Sequence, residues 1–148
     1  MRTVHWLFMG ILILFLVSCS KLNDEQQLKN LVKKNTEAWN KKDYHTLYEM
    51  QSPNFRANVS YETYKDFVQS ASGVISLYLG SGKIKTSDIH VNVRGEWGYV
   101  SYKIKKGKEI IDSVDEDIFR KVKGKWYDVE ESPIMPGYNR EDLPPDKR

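Results

Sequence analysis

Two acidic residues, Asp115 and Asp117, have the type and spacing that best fit acid–base chemistry in this sequence. Strand alternation places both on one face of a predicted strand, where burial could keep a carboxyl group protonated and able to donate a hydrogen bond. The residues predicted to share that face are Ser113, Asp115, Asp117 and Phe119. Charged strand residues are more often solvated or paired, so an ordinary surface role remains the alternative. The basic residues available for pairing are Lys103, Arg120 and Lys121.

Aromatic residues form a second group of candidates, because rings with a few polar groups are how small-molecule pockets are usually built. Together with the two acids they give a predicted pocket of Asp115, Asp117, Tyr102, Phe119, Trp126 and Tyr64. The competing interpretation is simple core packing, since the helix rings fall at core spacing. Trp126 in particular follows a glycine turn and is expected to pack inside the fold, near Phe119 and the third helix.

Several classes of function find no support in the sequence. His45 and His90 are far apart and have no cysteine or acidic partners at zinc-site spacing, so we predict no metal site. No phosphate-binding glycine loop or nucleophile elbow occurs, and we predict no cofactor and no assigned catalytic residue. The net charge of +3 on 148 residues is too small and too dispersed for a nucleic-acid surface.

The first 18 residues have the features of a secretory signal peptide. A basic residue, Arg2, precedes an apolar run that is short for a membrane span. The run ends in Leu16-Val17-Ser18-Cys19, which resembles the bacterial lipobox, and Cys19 is the only cysteine. The resemblance implies cleavage before Cys19 and its lipidation, with residues 19–22 as a tether to the cell membrane or outer membrane. An uncleaved anchor helix is the alternative.

Three helices followed by four antiparallel strands are predicted for the rest of the chain. Asn23 or Asp24 is expected to cap the first helix, Asp43 the second (Tyr44–Met50) and Ser60 the third. The third helix is expected to continue through Gly73, with a break near Ser72-Gly73 as the alternative. The segment Phe55–Val59 is predicted to be an extended link. The predicted strands, separated by glycine turns, are Ile84–Arg94, Trp97–Lys105, Glu109–Lys121 and Lys125–Glu131.

The stretches Ala38–Asp43, Leu47-Tyr48, Asp117–Phe119 and Lys123–Trp126 resemble those of the NTF2-like superfamily, which includes SnoaL-type cyclases and ketosteroid isomerases. The resemblance implies an α+β fold, with three helices packed on a curved antiparallel sheet to form a cone, over residues 23–131. It also implies that Asp117 corresponds to the pocket acid of the isomerases. Their tyrosine and base are missing, because the corresponding positions hold Asn35 and Asn54.

Two classes of function therefore remain open, with a third behind them. The first is a non-enzymatic lipoprotein that binds a small apolar ligand or an envelope protein. The second is a SnoaL- or isomerase-like enzyme that uses pocket carboxylates, and the third is a dimerisation module. Residues 132–148 hold four of the five prolines, so an extended or disordered tail is expected there, contributing little to stability.

Overall fold

A computed structural model describes residues 23–79, 82–129 and 133–148, with the backbone alone for 74–79. The helices are α1 (23–41), α2 (Tyr44–Met50), α3 (Pro53–Asn58) and α4 (Tyr61–Leu79). The strands are β1 (Ile84–Arg94), β2 (Trp97–Lys106), β3 (Glu109–Val122) and β4 (Lys125–Asp128), in spatial order β1-β2-β3-β4 and antiparallel throughout. The predicted α+β architecture, helices packed on a curved four-stranded sheet, is confirmed. The predicted signal peptide, Cys19 and the predicted tether lie outside the described residues.

The extended link predicted at Phe55–Val59 is wrong, because most of it belongs to helix α3. The Ser52 hydroxyl accepts a hydrogen bond from the backbone N–H of Phe55 at 3.1 Å, and Pro53 occupies the first turn. Serine followed by proline can mark the end of a preceding helix such as α2. The same pair is also the usual start of a helix, since proline loses nothing at a position whose N–H is unpaired anyway.

The other helix boundaries follow the sequence more closely. Asp43 caps α2 by accepting from the N–H of Thr46, and Ser60 accepts from the N–H of Thr63 at the start of α4. Helix α4 continues through Gly73 without a break, as predicted. The expected cap of α1 is wrong, because Asn23 and Asp24 are already helical.

Three bulges interrupt the pairing of β2 with its neighbours, and two of them flank the middle of the strand. In β1, Asp88 and Ile89 intervene between the pairs Ser87–Lys103 and His90–Ser101, and Asp88 has a positive φ of 52°. In β3, two residues intervene between the positions that pair with Val100 and Tyr102. An extra residue on one strand bends it and increases the local twist. The sheet is therefore curved on both sides of its second strand.

Apolar side chains fill both faces of this sheet. One face packs against α1 through Leu28, Val32, Val100, Phe119 and Trp126. A second cluster lies among the helices and consists of Ala38, Leu47, Phe55, Val59, Tyr64 and Val68. The third lies on the opposite face of the sheet and consists of Tyr99, Ile118, Val129 and Leu143. The last of these belongs to the C-terminal segment.

The described part of the C-terminal segment, 133–148, is folded onto the domain, so the predicted extended or disordered tail is wrong there. Leu143 is 7% exposed and Pro144 is fully buried. Short 3-10 turns at Arg140–Asp142 and Pro145–Lys147 shape the segment. Tyr99 donates to Asp146 at 3.3 Å, and Lys147 forms an ion pair with Glu116. Few apolar residues suffice because they meet an otherwise uncovered sheet face.

Candidate functional site

The β3 bulge separates the two acids that the sequence grouped together. Asp117 pairs with Val100 and lies on the α1 side of the sheet, whereas Asp115 stands at the bulge and is exposed. A shallow cavity of about 190 Å³ beside Asp115 is also lined by His90, Ser101 and Glu116. The prediction that Ser113, Asp115, Asp117 and Phe119 share one face is therefore wrong, because one extra residue reverses the alternation beyond it.

Asp117 instead forms a pair with Tyr102. The tyrosine hydroxyl donates to Asp117 Oδ2 at 3.1 Å, and both side chains are half-buried. Burial, followed by the negative charge of Asp117 and the hydrogen bond to it, raises the pKa of Tyr102 well above its usual value. The phenol thus keeps its proton at neutral pH and acts as a hydrogen-bond donor, not as a base. The pair can therefore position a polar group through the hydroxyl of Tyr102.

The remaining predicted pocket residues belong to packed cores. Trp126 is 3% exposed and lies with Phe119, as predicted, but the helix that covers it is α1 and not the third helix of the prediction. Tyr64 lies in the helical cluster, where its ring contacts Phe55 at 5.9 Å and Tyr48 at 5.5 Å between centroids. Of the six residues, four therefore lie on or beside one face of the sheet, and Asp115 and Tyr64 lie elsewhere.

A larger cavity, of about 560 Å³, opens at the end of the sheet that carries the β1–β2 and β3–β4 turns. Helix α3 contributes its N-terminal end, the first of these turns contributes Glu96, and β3 contributes its last residues. The C-terminal segment closes one side through Asp142, which accepts a hydrogen bond from Asn54 at 2.7 Å. The lining residues are Ser52, Pro53, Asn54, Glu96, Arg120, Lys121, Val122, Lys123, Val129 and Asp142.

Charge dominates this cavity. Arg120 forms an ion pair with Glu96 at 3.2 Å and lies 5.0 Å from the centre of the Trp97 ring. Its buried Nε has no hydrogen-bond acceptor among the described residues. Lys121 is bound by Asp24 at 2.6 Å, while Lys123 makes no ion pair within the described part of the chain. Three cations against two acids give the lining an excess of positive charge.

Sequence reasoning missed this cavity. Its signal in the sequence is the pair Lys121 and Lys123 beside the third glycine turn, which predicts a hairpin but not a cavity. A four-stranded meander necessarily brings its first and third turns to the same end, where the basic strand ends meet Glu96. The contribution of Ser52 and Asn54 could not have been found, because that segment was assigned to the wrong structure.

No group of three or more His, Cys, Asp or Glu side chains within the described ranges is arranged to hold a metal ion. Among the same residues, none of the helices combines the length and apolar character that a membrane span requires.

Comparison of the sequence with protein-family models gave no match, and comparison with curated proteins gave none either. Among solved structures, the fold is similar to an NTF2-like family protein from Streptomyces avermitilis that carries a provisional dehydratase assignment. The likeness covers 71% of this chain and 90% of that one, at 17% identity and a TM-score of 0.46. A likeness this distant says nothing of a shared activity.

Proposed function

We propose that this protein is an extracytoplasmic lipoprotein, anchored through Cys19, whose NTF2-like domain binds a ligand without catalysing a reaction. The observation that carries the proposal is the contrast between the two candidate sites. The interior beside Asp117 is filled by buried rings. By contrast, an open, charged cavity lies at the end of the sheet that carries the β1–β2 and β3–β4 turns. Clefts with a few convergent polar groups are the usual places for ligands.

The lining of that cavity favours a polar, anionic ligand over the apolar one that the sequence suggested. The positively charged residues Arg120 and Lys123 face the space, and the buried Nε of Arg120 is a donor in need of an acceptor. A carboxylate or phosphate would satisfy this donor, and a planar guanidinium suits both groups.

Anchoring is tested by labelling the expressed chain with palmitate. Wild-type protein should incorporate the label, and Cys19→Ala should not, because the lipid is attached through the thiol. A Cys19→Ala chain that still incorporates palmitate would contradict the lipoprotein assignment.

Ligand binding is tested by mass spectrometry of small molecules that co-purify with the protein. A ligand of the cavity should be lost in Lys123→Glu, which reverses a charge at an exposed turn, and retained in Tyr102→Phe. The second variant is a matched control, because its hydroxyl belongs to the other site. Loss in Tyr102→Phe with retention in Lys123→Glu would place the ligand at the Asp117 pair instead.

That last outcome would favour the alternative function, a SnoaL- or isomerase-like enzyme. One observation supports it: the Tyr102–Asp117 pair is half-buried on the helix-covered face. Against it stand the raised pKa of Tyr102 and the β3 bulge, which removes Asp115 from the neighbourhood of Asp117.

A further inference from the structure

The end of the sheet that carries the β1–β2 and β3–β4 turns is also the end at which the described part of α1 begins. Asp24, in the first described turn of α1, binds Lys121 at 2.6 Å and Trp126 at 3.2 Å. These two residues flank the β3–β4 turn. Cys19 precedes Asp24 by five residues, which can span at most about 17 Å however they are arranged. A lipid on Cys19 therefore holds this turn close to the membrane surface.

Basic side chains and aromatic rings lie side by side at this end. Lys125 lies 5.1 Å from the centre of the Tyr127 ring, and Arg56 lies 5.8 Å from the same ring. Arg120, on β3, likewise stacks on the ring of Trp97, on β2. Tryptophan and tyrosine are favoured at the membrane interface, where one edge of the ring is wet and the other apolar. We call this surface the basic–aromatic end, comprising Arg56, Trp97, Arg120, Lys123, Lys125 and Tyr127.

We propose that the basic–aromatic end binds the headgroups of anionic phospholipids, which orients the domain end-on against its own membrane. The inference rests on the proposed lipoprotein function and names the ligand of its cavity. Lys123 and Lys125 are exposed and form no ion pair among the described residues, so their charge is available to a phosphate. The cavity between Lys123 and Ser52 can admit one headgroup, with Arg120 at its wall.

The opposite end of the domain supplies an internal control. Lys85 and Lys108 are exposed there, beside the β2–β3 turn. Asn40, near the end of α1, marks that end by two hydrogen bonds to the backbone of Ile84, at 2.7 and 2.9 Å. The helix separates the two ends by about 24 Å, from 16 residues at 1.5 Å each. Charge alone therefore does not distinguish the ends, but the anchor does.

The test is lysine acetylation followed by mass spectrometry, on lipidated full-length protein processed by its host and reconstituted in vesicles. One set of vesicles is phosphatidylcholine, and the other contains phosphatidylglycerol. We expect Lys123 and Lys125 to react about five-fold more slowly on the anionic vesicles, and the protection to disappear at about 0.5 M salt. Lys85 and Lys108 should react at the same rate on both.

Variants give an independent measurement. The double variant Lys123→Glu/Lys125→Glu should abolish the quenching of Trp97 fluorescence by brominated phosphatidylglycerol, whereas Lys85→Glu/Lys108→Glu should leave it unchanged. Equal lysine reactivity on both kinds of vesicle, or protection at Lys85 and Lys108, would overturn the inference and leave the lipoprotein function standing. A wild-type chain without palmitate would instead overturn the function, and the inference with it.

Discussion

Asp24 accepts a hydrogen bond from the indole N–H of Trp126, 3.2 Å from Nε1 to Oδ1, across 102 residues of sequence. The same oxygen receives the ammonium group of Lys121 at 2.6 Å. Asp24 is 8% exposed, and its carboxylate joins the beginning of α1 to the last two strands. It holds the helix in the orientation that covers the sheet.

Removing this carboxylate should destabilise the domain considerably. Asp24→Ala leaves the Trp126 N–H and the Lys121 ammonium without their acceptor, and we expect a loss of roughly 2–3 kcal/mol in the free energy of unfolding. Urea denaturation measures it. Glu37→Ala is the control on the same helix, because its pair with Lys41 is 4.0 Å long and exposed, and about 0.5 kcal/mol or less is expected. Equal effects of both substitutions would contradict the role of Asp24.

Two glycine substitutions should act in opposite directions. A Cβ at Gly98 would lie 2.6 Å from Cδ1 of Leu28, so Gly98→Ala forces α1 away from β2 and should cost about 1–3 kcal/mol. A Cβ at Gly73, within α4, meets nothing within 4 Å, and Gly73→Ala should stabilise by about 0.5–1 kcal/mol. Thermal unfolding of the two variants beside wild type tests both signs.

The C-terminal segment is expected to stabilise the domain, contrary to what its composition suggested. Deleting residues 143–148 uncovers Tyr99 and Ile118 and should lower the melting temperature by more than about 5 °C. Ile134→Ala serves as a control, because that side chain is 77% exposed and its loss should be nearly neutral. A melting temperature unchanged by the deletion would show that the segment does not cover the sheet in solution.

Alkaline pH should destabilise the protein through Tyr102. Its folded pKa is raised, so the native state holds the phenolic proton when the unfolded chain, with a pKa near 10, has already released it. The contribution of Tyr102 is therefore fully present below about pH 10 and falls above it, by at most about 1.4 kcal/mol per pH unit. Tyr102→Phe should lose less stability than wild type between about pH 10 and 11. Parallel pH profiles of the two proteins would contradict this.

Parts of this structure could be predicted because local patterns determined them. The strands of the meander are separated by glycine turns, and β1 begins and ends where its pattern does. The Asp43 and Ser60 caps are equally local. The placement of Asp115 and Asp117 depends instead on the β3 bulge, which no residue type indicates. The larger cavity depends on residues that are distant from one another in sequence. Asp24 is a buried residue and not a helix cap because of its tertiary contacts, and Leu143 belongs to the core and not to a tail for the same reason.

The long sequence separation between α1 and the strands that it covers affects how the chain folds during its synthesis. The helix that is synthesised first packs against Trp126 on the strand that is synthesised last, and Leu143 closes the other face later still. Contacts so distant in sequence must wait for nearly the whole polypeptide to emerge, and they slow folding. A chain released short of its last residues would present Tyr99 and Ile118 as a bare apolar surface, so premature termination here produces an aggregation-prone product and not a smaller working domain.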